Sequence, residues 1–430
     1  MLPHEILNVY SAEVLGFGFK GADVPVAIPA APAFADLERL TARAVAAFER
    51  SGRKHLVLLG LGSGGLAAAL AERLPAGALC VCEQDLALVR ALRDLSDGDL
   101  PDGGRLDWWR QGTTAGLATD ASPWALLFLL DRAGVSPSLE GHALILPNPE
   151  LPPLAKAAHR PLELLLTRSR PLAAPALAPR PRLSAAAILA PSEPDLPEFF
   201  AQFPDWLDEL VLVWDAEAVP EFAKSEILVP DRFPVRQSAR PLGADFSAQR
   251  NAMLAACSGE WVLYLDADER LSPQAWAALP ALCAASNAPD APDAPNAPNN
   301  VPNVVAWHFP RLSPYPDAEH ALTGFGLWPD VQLRLFRNAP GLRFVNPVHE
   351  RLMGLSGAQA LALDVEIEHL SRLRKGDAAL RQKLERFDEA GAGRVRHALS
   401  AEYPSIPRGL LAARSLDGPP RCLLLPPEFV

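Results

Sequence analysis

Four prolines lie between Arg170 and Arg182, in the run Pro-Leu-Ala-Ala-Pro-Ala-Leu-Ala-Pro-Arg-Pro. Proline has no amide hydrogen for a helix or sheet ladder and fixes φ, so this density predicts an extended linker over 171–182. The chain then divides into stretches 1–170 and 183–375, followed by a tail at 376–430. Its 430 residues accord with two cores, because single cores stop growing beyond roughly 250–300 residues. With 49% hydrophobic and 21% charged residues, each half has enough apolar material to bury one.

In the first half, Phe34, Leu37, Leu40, Ala44, Val45 and Phe48 recur at helical spacing and predict an amphipathic helix over 34–50. The apolar run His55–Leu59 reads as a buried parallel strand. Gly60-Leu-Gly-Ser-Gly-Gly65 follows it, then the Ala-rich helix Leu66–Leu74 and a strand Ala78–Cys82 ending at Glu83. Strand, glycine turn, helix, strand and acid make half of a nucleotide-binding α/β unit. Glu83 lies 19 residues past Gly64, near the ~20 expected of an acid on a ribose hydroxyl. Gly60, Gly62, Gly64 and Gly65 are thus candidate phosphate or cofactor contacts. This pattern resembles S-adenosylmethionine-dependent methyltransferases, and also Rossmann-like domains of bacterial flagellin-modifying glycosyltransferases. No catalytic set follows: His142 and Asn148-Pro-Glu150 fall late and isolated, and Trp108-Trp109 reads equally as core. Two readings stand, a structural or substrate-docking Rossmann-like domain and an active methyltransferase.

A second α/β pattern opens at Leu183. Strands are expected at Ala185–Ala190 and Glu209–Trp214, and helices at Leu196–Phe203 and Phe246–Ala256, the latter closed by Gly259. Trp261–Leu265 is a strand running straight into Asp266-Ala-Asp268. With a side-chain period of two, both carboxylates point the same way at the carboxyl edge of a sheet. A hard cation, Mg²⁺ or Mn²⁺, suits such a pair and leaves coordination positions for phosphate oxygens. After this pair, residues 287–303 form an Asn/Pro/Ala/Asp low-complexity insert, and the tail carries a helix pattern at Ala379–Ala390 and then a Pro-rich end of little pattern. No internal repeat is present.

Leu183 to Leu370 resembles the family 2 glycosyltransferases, in the bacterial branch related to lipopolysaccharide-core and peptide S-glycosyltransferases. The resembling pieces occur in order: Leu183-Ser-Ala-Ala-Ala-Ile, Asp-Glu-Leu-Val-Leu-Val-Trp-Asp215, Asp245-Phe-Ser-Ala-Gln-Arg-Asn251 and Leu265-Asp-Ala-Asp-Glu269. Leu333-Arg-Leu-Phe-Arg-Asn338, Phe344-Val-Asn-Pro-Val-His-Glu350 and Ile367-Glu-His369 complete them. The resemblance implies a GT-A nucleotide-diphospho-sugar transferase fold and an inverting displacement with no covalent sugar–enzyme intermediate. It implies Asp215 at the nucleoside, Asp266 and Asp268 as the metal motif, and His369 completing the metal or diphosphate site. Glu350 falls where the branch has an acid facing the acceptor and is the expected general base, with Asp330 its competitor, provided burial lifts its pKa toward working pH.

Other assignments have plainer rivals. Arg250 either reaches the donor diphosphate or caps a helix and pairs with an acid. His349 reads as a packed histidine, Arg334 and Arg337 as partly structural, and Trp307, Trp328 and Phe325 as core aromatics before sugar platforms. Where the family has a polar Asn-Glu pair after its first strand, this chain has Ala190-Pro-Ser-Glu-Pro194 and keeps only Glu193. Its acid-x-Gly-Ser turn is replaced by Asp215-Ala-Glu217. An altered nucleoside pocket follows.

The formal net charge of −11 and pI near 5.4 argue against a basic face for nucleic acid or anionic membrane. Cys80, Cys82, Cys257, Cys283 and Cys422 show no paired metal spacing and read as reduced packing thiols. Met1–Val14 lacks a secretory pattern, and the longest apolar run, Trp124–Leu130, is far below a membrane span of roughly 18 residues. The expected protein is a cytoplasmic, two-domain α/β transferase taking a nucleotide-sugar donor and a glycan, lipid-linked or protein acceptor. The alternatives are a methyltransferase fused to a degenerate transferase domain, and a non-catalytic sugar-nucleotide-binding scaffold.

Overall fold

The computed structural model describes residues 3–18, 27–94, 106–110, 115–135, 143–224, 232–243, 245–285, 303–374 and 402–429. His142, the helix expected at Ala379–Ala390 and nearly all of the 287–303 insert lie outside them.

The first half builds β1 (Leu56–Leu59), β2 (Leu79–Glu83), β3 (Ala115–Thr119) and β4 (Leu144–Pro147). All pairings are parallel, in the order β3-β2-β1-β4. Strand periodicity sorts the side chains onto two faces. Leu56 and Leu58 join a core with Phe48, Leu66 and Leu70, while Val57 and Leu59 face Tyr10, Phe128 and Leu162. The amphipathic helix forms over Phe34–Ser51 and the helix after the glycine turn over Gly65–Arg73, both as expected. Trp108 is buried in the first of these cores.

The second half builds β5 (Arg170–Leu172), β6 (Leu183–Leu189), β7 (Glu209–Trp214), β8 (Val235–Ala239), β9 (Trp261–Tyr264), β10 (Glu269–Leu271), β11 (Val304–Phe309) and β12 (Arg311–Leu312). It continues with β13 (His320–Leu322), β14 (Gln332–Arg337), β15 (Arg343–Val345), β16 (Arg351–Met353), β17 (Ala358–Ala362) and β18 (Ile367–His369), then β19 (Ser405–Pro407) and β20 (Cys422–Leu424). Nine strands make one sheet, ordered β5-β20-β17-β11-β14-β9-β6-β7-β8. Its β8-β7-β6-β9 end is all parallel, and β14 runs antiparallel to both β9 and β11. A small sheet, β10-β18-β12, stands at the carboxyl side of β9. The chain is therefore α/β throughout.

Three local expectations change. Arg170–Leu172 is not a free linker: it pairs with β20 as the outermost strand, where a proline is tolerated because one side of the strand faces no partner. The tail is not a patternless end, since β20 pairs with β17 and β19 with β13. The Phe246–Ala256 helix ends in extended Cys257, not in a glycine cap. Gly259 answers a different demand, because a Cβ there would sit 2.5 Å from the Ser184 amide nitrogen.

The halves share packing. Tyr10, Phe128 and Leu162 of the first half form one apolar cluster with Trp328, Leu361, Leu363, Ile406, Leu411 and Leu423. Arg421 closes it by donating to Asp131 at 2.9 Å and to Asp364 at 2.7 Å. None of these long-range pairs is visible as local periodicity.

Candidate active site

The site forms where β9 stops. Trp261-Val-Leu-Tyr264 is fully buried, and the chain then turns through Asp266-Ala-Asp-Glu269, with the Glu269 amide donating to the Asp266 carbonyl at 2.9 Å. Asp266 lies beneath two guanidinium groups: Arg250 donates to Oδ1 at 2.9 Å and Arg334 to Oδ2 at 2.8 Å. Both guanidinium groups also lie over the Tyr264 ring, at 4.8 and 4.7 Å from its centroid. Burial would raise the Asp266 pKa, yet Arg334 and Arg250 outweigh it and hold the carboxyl far below the usual carboxylate range.

These contacts belong to a longer alternation. Arg250 donates through Nε to Glu350 Oε1 at 2.8 Å. Arg334 also bonds the fully buried Glu269, which accepts a further bond from Arg311 at 2.9 Å. Arg311 in turn pairs with Asp330. Glu350, Arg250, Asp266, Arg334, Glu269, Arg311 and Asp330 thus run as acid, base, acid, base, acid, base, acid. Each buried guanidinium finds two carboxylates, which offsets its desolvation. Burial alone would lower the pKa of Arg250, Arg334 and Arg311, and the neighbouring acids raise it instead.

The helix Phe246–Ala256 explains how the chain converges. Asp245 caps it, accepting from the Ala248 amide at 3.0 Å and the Ser247 hydroxyl at 2.7 Å, and these bonds lower the Asp245 pKa. The capped first turn receives the Pro347 carbonyl on the Phe246 amide at 3.0 Å. Asn251 bonds both the amide and the carbonyl of Phe344, at 2.8 and 2.9 Å. One helix therefore fixes Arg250 and also the 344–350 segment that delivers Glu350. That segment holds two non-glycine residues at positive φ, Asn346 at 73° and His349 at 54°. Such backbone costs energy and persists where the surroundings dictate it.

Asp268 has Oδ1 at 3.6 Å from Nε2 of His369, and its charge also acts on Arg270. Ser313 holds the other ring nitrogen, Nδ1, at 3.0 Å. The backbone also links them, as the Leu370 amide donates to the Asp268 carbonyl at 2.8 Å. Among the described residues, no cluster of three or more His, Cys, Asp or Glu side chains is arranged to hold a metal. Mg²⁺ and Mn²⁺ need no such cage, since they bind through one or two protein ligands with phosphates and water supplying the rest. Asp268 and His369 fit that donor set. Each Asp266 oxygen already accepts one arginine bond, which leaves one lone pair on each for a cation.

The remaining predicted residues separate. Asp215 follows β7 and accepts the Leu242 amide at 2.7 Å, while Glu193 sits in the turn after the neighbouring β6. Both belong to the carboxyl edge of the same sheet. Asp330, the competing base, is paired on both oxygens: Arg311 donates to one and the Gln332 side-chain amide to the other at 2.6 Å. Burial would raise its pKa, but Arg311 keeps it below the ordinary value. Trp307 and Trp328 are buried core. Sequence reading passed over Glu269 and Arg311; the available signal was a charged residue set inside an apolar strand context, as in Phe309-Pro-Arg-Leu312.

The glycine turn of the first half is also brought together, with a different result. Glu83 Oε2 accepts the Leu61 amide at 2.7 Å and Oε1 the Asp85 amide at 2.8 Å. Glu150 reaches in from beyond β4, accepting from the Ser63 amide at 3.0 Å, the Ser63 hydroxyl at 2.7 Å and the Leu66 amide at 3.1 Å. A Cβ on Gly62 would lie 2.9 Å from Glu150 Oε2. Asn148 donates to the Gly60 carbonyl at 3.0 Å. The isolated Asn148-Pro-Glu150 is thus the internal partner of the turn.

No helix among the described residues is long and apolar enough to cross a membrane. No known protein-family profile matches the chain. It is 30% identical over 161 residues, 36% of its length, to a TPR repeat-containing protein of Synechococcus elongatus, and spans about a third (31%) of that relative. Among solved structures it is similar to S. aureus TarS 1–349 in complex with UDP-GlcNAc, at 16% identity and TM-score 0.24, covering 32% of this chain and 36% of that one. A second S. aureus TarS structure overlaps at 13% identity and TM-score 0.25, covering 52% of this chain and 36% of the other.

Proposed function

We propose that the carboxyl edge of β9 transfers a sugar from a nucleotide-diphosphate donor to an acceptor hydroxyl, with inversion. One observation carries this reading. Of the two aspartates after β9, Asp266 is bonded to two arginines, whereas Asp268 lies 3.6 Å from Nε2 of His369. Asp268 and His369 would hold Mg²⁺ or Mn²⁺, which neutralises charge on a leaving diphosphate. Glu350 is the base: its Oε1 is fixed by Arg250, leaving Oε2 to take the acceptor proton as the acceptor oxygen bonds to the anomeric carbon. The bond from that carbon to the diphosphate breaks, and the nucleoside diphosphate departs with the electron pair. Asp215 and Glu193, on adjacent strand ends, are the nucleoside contacts of this reading.

Calorimetry with UDP-, GDP- and dTDP-linked sugars, with and without Mn²⁺, tests it. Metal-dependent binding in the wild type, lost in Asp268→Ala, is expected; binding that survives that change sinks the assignment. Glu350→Gln should lower kcat about 10²–10⁴-fold. Asp330→Asn, whose carboxylate is already paired, should stay within about tenfold of wild type.

A non-catalytic scaffold would bind the same donors without turnover. The methyltransferase alternative is opposed by the internal bonds of Glu83 and Glu150, which fill the turn that S-adenosylmethionine would need.

A further inference from the structure

An open parallel sheet takes its ligand at the carboxyl ends of its strands. In the first half those ends are consumed from within. Glu150 fills the turn after β1, Glu83 at the end of β2 is bonded to Leu61 and Asp85, and Asn148 after β4 holds Gly60. The end of β3 turns outward instead. Asp120 there is buried and accepts the Ser122 amide at 2.7 Å and the Tyr10 hydroxyl at 2.7 Å. The Tyr10 hydroxyl in turn accepts the Gly324 amide at 2.9 Å.

Gly324 and Gly326 lie on the segment that ends in Asp330. The Tyr10 and Phe128 rings pack against Trp328 of that segment, at 5.9 and 6.0 Å between centroids. Gly324 lies so near Val14 that a Cβ would be 2.8 Å from Cγ2. Phe325, between Gly324 and Gly326, is a non-glycine residue at φ 54°, a conformation that needs outside support. The first half therefore fixes the start of the segment, and Arg311 fixes its end.

We propose that Tyr10 and Asp120 are positioning residues for the transfer site: the first half has exchanged cofactor binding for holding segment 323–330, and with it Asp330, against Arg311. The kinetic part of this proposal rests on the transfer reading; the structural part does not. Tyr10→Phe keeps the ring and removes the hydroxyl, and Asp120→Asn keeps the shape and removes the charge. Full-length variants are compared with wild type by amide hydrogen exchange and by hydrolysis of the UDP-, GDP- or dTDP-sugar that wild type binds with Mn²⁺.

Exchange over 323–332 should speed about tenfold or more in both variants, with β1 and the 246–256 helix unchanged. Donor hydrolysis should show kcat reduced about five- to tenfold at unaltered donor KM. Unchanged exchange at 323–332 in both variants overturns the proposal. Exchange that rises equally across β1 also overturns it, by assigning the pair to global stability. Wild-type calorimetry with S-adenosylmethionine should give no binding, and micromolar binding would refute the lost cofactor role. If no nucleotide-sugar binds wild type, the transfer reading fails while the exchange result still decides whether the pair holds the segment.

Discussion

Two parallel sheets in this chain share an order and differ in what closes their carboxyl ends. In the first half β3-β2-β1-β4 places the first strand beside the second and fourth; in the second half β8-β7-β6-β9 does the same. The first edge is closed by carboxylates on backbone amides, with Glu150 on Ser63 and Leu66 and Glu83 on Leu61 and Asp85. The second edge is closed by carboxylates on guanidinium groups, with the Asp268–His369 pair beside them. The same topology thus gives a sealed turn in one half and a charged rim in the other. Fold order alone does not assign function; the chemistry at the strand ends does.

Charge closure should be the more fragile kind. Arg334→Ala leaves Asp266 and the fully buried Glu269 short of a shared cation, and breaking a buried pair costs about 3–5 kcal/mol. Denaturant unfolding should show that loss, and a change below about 1 kcal/mol would mean the arginine chain is not holding the second half. Glu150→Ala removes the acceptor of three bonds and should cost less, about 2–3 kcal/mol. A gain in stability there would mean the turn is strained by its internal partner.

The two edges should also respond to acid with opposite sign. Asp266 and Asp330 are held below the ordinary carboxylate range by their arginines. Their stabilisation is present above that range and is lost as pH falls toward their folded values, below about 4. Asp120 is pushed up to about 6, chiefly by burial against its bonds to Tyr10 and Ser122. A raised carboxyl pKa stabilises the fold at low pH, and that contribution is lost as pH rises through about 6. Relative to Asp120→Asn, wild type should lose about 1.5 kcal/mol between pH 5 and 7.5, read from unfolding curves at each pH. A flat difference would remove the contrast. The smallest effect is expected where the halves are alike. Asp85 and Asp245 each cap a helix through side-chain bonds, and Asp85→Ala and Asp245→Ala should each cost about 1 kcal/mol.

Much of the fold was legible because burial imposes period. The strands at Leu56–Leu59 and Glu209–Trp214 and the helix at Phe246–Ala256 lie where apolar spacing puts them. Only the start of the proline stretch, Pro171–Leu172, departs from the linker reading, because a partner strand 250 residues later gave it an edge to occupy; 173–182 holds no helix or strand. At the site, Asp266, Asp268, Glu350 and Arg250 stood in readable motifs, but the division of labour among them did not. Which aspartate is bonded to arginine depends on Arg250 from a helix and Arg334 from β14, neither of which is near Asp266 in sequence. Glu150 was read as isolated for the same reason, since its partner turn lies 84 to 87 residues earlier.

By itself the sequence determined two α/β halves, a glycine turn after one strand and an acidic pair after another, because local period and residue chemistry act over a few positions. Tertiary structure alone decided that the turn is filled by Glu150, that three arginines thread four acids, and that Tyr10 and Asp120 reach the segment ending in Asp330. Those outcomes are long-range bonds between buried polar groups. A buried charge or amide must find a partner wherever the fold supplies one, and nothing local names which residue that will be.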